Sequence, residues 1–267
     1  MNIIVCLKQV PDAEEVKTDP ETGRIVREGV KGTVNPFDMF ILEEALRLKE
    51  QFGGKITLLS MGPKDAIHTL YYGLAVGADE GYLLSDSKFA GSDTLATSYA
   101  LSCAIKTLGL YDLIMCGIKT TDGDTGQVGA NLAELLDIPS VYYVNRILSY
   151  QNDLIKVERF LEDRSQILEV HLPCLISIIK GANVPRMPTL EGKIEAEGKQ
   201  LKILNALEVN AIEKYCGIEG SPTRVVEIFL PEKRKKGVIL KGCREQNITK
   251  LIQFLKNKKI SIFGMCS

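Results

Sequence analysis

The chain has 267 residues, 45% of them hydrophobic and 25% charged, with a formal net charge of −1. So balanced a charge argues against nucleic-acid binding, which calls for a strongly basic face. No apolar run approaches the roughly 20 residues of a membrane span, and the length suffices for one substantial core plus an appendage.

Strand and helix patterns alternate through the first two thirds. Residues 2–10 form an apolar, β-rich run of the kind a buried parallel strand shows. Because this run starts almost at Met1 and meets Pro11 and Asp12, no signal peptide is expected. The polar stretch 12–32 carries turn signals at Asp19-Pro20 and Thr22-Gly23. Residues 37–51 predict an amphipathic helix with Ile41, Leu42, Ala45, Leu46 and Leu48 on one face. A second strand, 56–61, ends at Gly62-Pro63, and a second helix, 65–76, stops at Gly77. Then come a strand at 81–85, a helix at 93–108 behind Gly91-Ser92-Asp93, a strand at 112–116, the polar loop 117–126 and a helix at 127–136. This succession predicts an open, mostly parallel α/β sheet with helices on both faces, the Rossmann-like class.

The pattern then changes. Residues 140–148, 154–161 and 166–172 predict consecutive antiparallel strands, followed by one more strand at 175–180. Pro185 and Pro188 interrupt residues 184–192; beyond them lie an isolated strand (224–230), a basic run (232–236) and a helix (247–256). These pieces bury little by themselves. The expected organisation is therefore an α/β domain over 1–190 and, over 191–267, an arm that packs on a partner chain, the alternative being that it folds back on its own domain.

The seven cysteines (Cys6, Cys103, Cys116, Cys174, Cys216, Cys243 and Cys266) form no C-x-x-C pair, and several sit in apolar runs. They read as buried thiols of a cytoplasmic protein. His68 and His171 are far apart, which disfavours a histidine-based metal site or triad. No catalytic or metal-ligating residue is assigned.

In an open parallel sheet, ligands bind beyond the carboxyl ends of the strands where the strand order reverses. That rule selects the loops 8–12, 60–63 and 117–129. Within the last, Gly123, Gly126 and Gly129 allow close backbone approach. Asp124 or Thr125 can cap the following helix, whose first amides suit a pyrophosphate. On spacing alone, a phosphate cradle and a plain acidic turn before a capped helix stand equal. The loop is neither G-x-G-x-x-G nor a P-loop. Val34-Asn35-Pro36-Phe37-Asp38 either begins an ordinary helix, the better reading if taken alone, or offers Asn35 to an adenine or ribose edge. Asp93 and Thr94 could meet a ligand at a helix start, although an N-cap role explains Asp93.

Taken together, several motifs match one family in order along nearly the whole chain. They are Val-Cys-Leu-Lys-Gln-Val-Pro-Asp at 5–12, Val-Asn-Pro-Phe-Asp at 34–38 and Glu-Glu-Ala-Leu-Arg-Leu-Lys at 43–49. Further on come Asp122-Gly123-Asp124-Thr125 with Gln127-Val128-Gly129, and Pro185-Arg186-Met187-Pro188. The chain resembles the electron-transfer flavoprotein β subunit. The resemblance implies an adenine nucleotide contacting Cys6, Asn35, Pro36, Phe37, Asp38 and Met61. Phosphate contacts would fall on Gly117, Lys119, Thr121, Asp122, Gly123, Asp124, Thr125, Gly126, Gln127 and Val128, with Thr94 beside them. It also implies an α-subunit partner embraced by the tail after Ser221, and an acyl-CoA or 2-hydroxyacid flavin dehydrogenase docking near Leu190.

Classical members of the family hold a structural AMP, whereas flavin-bifurcating members hold FAD and take electrons from NADH. Val10-Pro11-Asp12, Asp19-Pro20 and Gly123 resemble the bifurcating type, for which ferredoxin is the expected low-potential acceptor. The chain departs from it at Gly117-Ile118-Lys119-Thr120, where bifurcating relatives read Gly-Arg-Gln-Ala; Lys119 substitutes only partly for that arginine. A stand-alone nucleotide-hydrolysing protein of similar fold is the remaining alternative. The loop Lys8-Gln9-Val10-Pro11 lacks the Ser-Gly-Gly that such a pyrophosphatase uses.

Overall fold

A computed structural model describes residues 1–12, 17–18, 25–26, 32–226 and 237–257. The chain divides into two compact units, Met1–Ile228 and Phe229–Ser267.

The first unit opens with β1 (Asn2–Cys6), β2 (Gln9–Pro11), β3 (Lys17–Thr18), β4 (Ile25–Val26) and β5 (Gly32–Val34). Helix α1 (Pro36–Phe52) leads to β6 (Lys55–Met61), α2 (Ile67–Ala75), β7 (Glu80–Leu84), α3 (Thr94–Leu108), β8 (Leu113–Gly117) and α4 (Val128–Leu136). Then follow β9 (Ser140–Gln151), β10 (Leu154–Phe160), β11 (Ser165–His171), β12 (Cys174–Ile178), α5 (Leu190–Glu197) and β13 (Gln200–Leu204).

Nine strands form one sheet in the order β11-β10-β9-β12-β8-β1-β6-β7-β13. Seven are linked by parallel pairings; β10 and β11 extend the sheet antiparallel beyond β9. The turn between β9 and β10 places Asn152 and Asp153 at φ 51° and 59°, the left-handed pair a tight hairpin needs. Alternation along the strands sorts the core into two layers. Ile3, Val5, Leu58, Leu113 and Met115 pack with α1, α2 and Ala196 of α5. Ile4, Leu59, Ile114 and Cys116 pack with α3, α4 and Ala206, Val209 and Cys216. Every residue of β12 is buried, as a central strand covered on both faces requires.

Three expectations need correction. The run 2–10 is not one strand: pairing in the main sheet stops at Cys6, and residues 9–11 turn away to pair antiparallel with β5. Residues 191–226 belong to the first unit, the alternative of a segment folded back on its own domain. Thr189 caps α5, its Oγ1 accepting from the Gly192 amide at 3.0 Å, and β13 adds a parallel strand beside β7. Neither element shows a clear sequence period, because both are short and only half-covered. Finally, residues 224–226 of the expected isolated strand have no regular structure. Its remainder, the basic run 232–236 and the Asp19-Pro20 and Thr22-Gly23 signals lie outside the described residues.

The second unit is described over 237–257, where α6 (Arg244–Asn257) carries no buried residue. Ile248, Leu251 and Ile252 are exposed along one helical face.

Candidate functional site

From β1 the chain steps to β6 and β7 on one side, then crosses to β8 on the other. The strand order thus reverses between β1 and β8, whose carboxyl ends are Cys6 and Gly117. A cleft of about 770 Å³ opens there, within the range of small-molecule and cofactor sites. Its floor is apolar, with Leu59, Met61, Phe89, Leu101 and the thiols of Cys6 and Cys116; its rim carries Lys8, Lys119, Thr94 and Gln127.

The turn between β1 and β2 is built around Asp38, in the first turn of α1. Pro36 sets the start of that helix and Asn35 precedes it. The Lys8 amide donates to Asp38 Oδ2 at 2.7 Å, and Asn35 Nδ2 donates to Oδ1 at 2.8 Å. Asn35 Nδ2 also donates to the Lys119 carbonyl at 2.9 Å, which ties the start of α1 to the loop after β8. Burial pushes the Asp38 carboxyl up to about 7, against the opposing pull of these donors and of Lys8's charge. Beside it, a hydrogen bond donated to the Cys6 sulfur, together with burial, holds the Cys116 thiol well above its ordinary value.

Across the mouth, Lys8 Nζ donates to both oxygens of Asp122, at 2.8 and 2.7 Å. Burial raises the Asp122 carboxyl, but the bonds from Lys8 and Thr120 outweigh it and leave the group below its usual range. Lys119 pairs with Asp124 at 2.7 Å and lies 5.7 Å from the centre of the Phe37 ring. Both acidic side chains of the loop are therefore matched by a lysine. At Gly126 the backbone takes φ 64°, a left-handed turn that glycine adopts without strain.

Helix α4 begins at the end of this loop. Neither Asp124 nor Thr125 caps it, contrary to the sequence expectation. Gln127 stands at the cap with helical backbone and no side-chain cap bond, while its Oε1 accepts from Thr94 Oγ1 at 2.9 Å. The Gln127 side chain thus leaves the start of α4 uncapped where Val128 and Gly129 line the cleft. Such an end attracts an anion through its N–H groups and the helix dipole.

Of the residues singled out from sequence, Cys6, Asp38, Met61, Thr94, Gly117, Lys119, Gly123, Thr125, Gly126, Gln127 and Val128 line the cleft. Asn35, Pro36, Phe37, Thr121, Asp122 and Asp124 do not. Asn35 is fully buried behind the wall, and Asp122 and Asp124 hold the two rim lysines. Sequence reasoning passed over the wall formed by Ser85, Asp86, Ser87, Phe89 and Ser92, and also Thr97 and Leu101. The strand-end rule reaches this wall, which follows β7, but only the loops after three other strands were chosen. The lining combines an apolar floor, hydroxyls at the rim, and a glycine-containing loop leading into a helix start without a side-chain cap. Among the described residues no cluster of His, Cys, Asp and Glu could hold a metal, and no helix is long and apolar enough to cross a membrane.

Residues 22–206 match the electron transfer flavoprotein domain. A protein named electron transfer flavoprotein subunit beta from Thermoanaerobacterium thermosaccharolyticum is 45% identical over 261 residues, covering 97% of this chain and 100% of the relative. Protein FixA from Azotobacter vinelandii is 44% identical, covering 88% of this chain and 86% of the relative. A subunit of the caffeyl-CoA reductase–Etf complex from Acetobacterium woodii, CarD, is 40% identical, covering 97% and 100%.

Proposed function

The chain belongs to the electron transfer flavoprotein family as a β subunit, and from that premise we propose that it holds FAD in the cleft between β1 and β8. In this reading it takes electrons from NADH and passes them by flavin-based bifurcation. One goes toward the FAD of an α subunit and a docked dehydrogenase, the other toward a low-potential acceptor such as ferredoxin. The work is that of a cytoplasmic electron-transfer component.

The observation that carries the reading is the uncapped start of α4 opening on a cleft of about 770 Å³ at the strand-order reversal. The cleft is roomy for a mononucleotide and offers apolar walls beyond the phosphate end. FAD, when bound, supplies the redox chemistry. The residues of this chain bind and orient it: Gly126, Val128 and Gly129 at the phosphates, Thr94 and Gln127 toward hydroxyls, and Cys6, Leu59 and Met61 against the rings.

The docking partner would meet residues 184–194. Val184, Met187, Leu190 and Ile194 are exposed there, at 82%, 71%, 77% and 63%. Arg186 holds this segment to α1 through Glu43 at 2.9 Å and through Glu50. The similarity to a subunit of a caffeyl-CoA reductase complex supports an acyl-CoA-type dehydrogenase as the occupant. The apolar face of α6 suits the α subunit.

One observation favours a structural AMP instead. Lys119 is engaged by Asp124, and no arginine stands in residues 117–129. The flavin-to-heterodimer ratio of the purified complex decides between the two. Two FAD per heterodimer is the expected result; one FAD with one AMP overturns the bifurcating reading.

A further inference from the structure

Asp93 separates the duties of its two carboxylate oxygens. Oδ1 caps α3, accepting from the amides of Leu95 at 2.9 Å and Ala96 at 3.1 Å. That role accounts for Asp93 at a helix start, but it leaves Oδ2 unexplained. Oδ2 accepts from the Thr223 amide at 3.0 Å and from Thr223 Oγ1 at 2.8 Å. The Asp93 amide in turn donates to Ser221 Oγ at 2.8 Å, and the Gly217 amide donates to Ser92 Oγ at 3.0 Å. Packing is equally close: a Cβ added at Gly91 would lie 2.4 Å from Ile218 Cγ1. Gly91, Ser92, Asp93 and Thr94 are also a wall of the cleft. Three of them, Gly91, Ser92 and Asp93, therefore face the ligand space on one side and hold residues 217–223 on the other. Residues 217–223 are the stretch of the first unit through which the chain leaves toward its C-terminal unit.

We infer that Asp93 links occupancy of the cleft to the ordering of residues 217–223, a link that rests on the nucleotide reading above. A nucleotide that contacts the 91–94 wall fixes the carboxylate that holds Thr223. By reciprocity, anything that immobilises residues 217–223 tightens the nucleotide by the same factor. Asp93 is thus a positioning residue, acting on the exit segment through Thr223.

The test is hydrogen–deuterium exchange on the purified complex, stripped of nucleotide and reloaded with AMP or with FAD. Amides of residues 217–223 should slow about tenfold on loading, within the usual range of coupling between sites. Asp93→Asn keeps an oxygen for the cap but can turn a donor toward the Thr223 amide. It should lose the slowing. Thr223→Val leaves the cap and the cleft wall untouched, should still load nucleotide with a reduced slowing, and reads the link should Asp93→Asn not fold or not load. Wild-type slowing in either folded variant overturns the link. A wild-type complex that takes up nucleotide without any slowing overturns the link alone. A complex that takes up neither nucleotide overturns the nucleotide reading and the link with it.

Discussion

The Asp38 carboxyl occupies the space that a side chain at position 117 would need: a Cβ added to Gly117 would lie 2.1 Å from Asp38 Oδ1. Donors from Lys8 and Asn35 hold the carboxyl in place, so it has no easy retreat. Gly117→Ala should therefore cost about 1–3 kcal/mol through overpacking and lower the thermal midpoint. Adding Asp38→Ser to the same chain should recover part of that loss. A Gly117→Ala variant that melts with the wild type would show that the carboxyl is free to move.

The elevated Asp38 carboxyl also sets a pH dependence. Its folded value is raised by burial from 3.8 to about 7, so the folded chain binds this proton more tightly than the unfolded chain does. The sign follows: the contribution to stability is full below the unfolded value, declines as pH rises, and is lost above about 7. Asp38→Asn removes the titration. Urea unfolding between about pH 4 and pH 8 should show a flatter decline in the variant, by a few kcal/mol at most. Parallel slopes would assign the dependence to other groups.

Lys8 and Asp122 form a half-exposed pair, with side chains 43% and 27% accessible, so its worth to stability is small. Lys8→Gln should change the unfolding free energy by no more than about 1 kcal/mol. Its effect on nucleotide binding should be larger, because the Asp122 charge would then stand unmatched beside incoming phosphates. A loss of about tenfold in affinity for AMP or FAD is expected from one unbalanced charge near the surface. Calorimetric titration at low and moderate salt checks both the loss and its screening; an unchanged affinity would place the phosphates away from Asp122.

Arg186 and Leu190 should separate cleanly. Arg186→Gln removes a partner from Glu43, whose side chain is only 5% accessible although Arg47 still pairs with it. A cost of about 1–3 kcal/mol is expected. Leu190→Ala, at an exposed position, should leave stability within about 0.5 kcal/mol while slowing electron transfer to the dehydrogenase. Unaltered transfer in Leu190→Ala would move the docking surface elsewhere.

The α/β succession was legible because buried parallel strands and amphipathic helices write their periods directly into apolar spacing. Strands β6 and β8 fell within one residue of their expected limits for that reason. The short pieces were not legible. β13 is half-covered at a sheet edge, and α5 has only Ala196 buried, so neither carries a pattern distinct from loop. The site followed the same division. Glycines and hydroxyls after β8 marked a ligand loop, yet chemistry alone could not tell a cap from a rim charge. Asp124 turned out to pair with Lys119, and the helix start was left to Gln127.

By itself the sequence determined the class of fold, three of the strand-end loops that line the cleft, and, through motifs spread along nearly its whole length, the family. Those depend on local period and residue identity, which the linear order carries. Only the tertiary structure decided which strands stand side by side. That choice brings Cys6 next to Cys116, Lys8 across from Asp122 and Asp93 against Thr223. Such contacts join residues on the order of a hundred positions apart, through the closing of chain loops that no local pattern encodes. They arise when the two apolar faces of the sheet are buried together, and it is that burial which raises the Asp38 carboxyl.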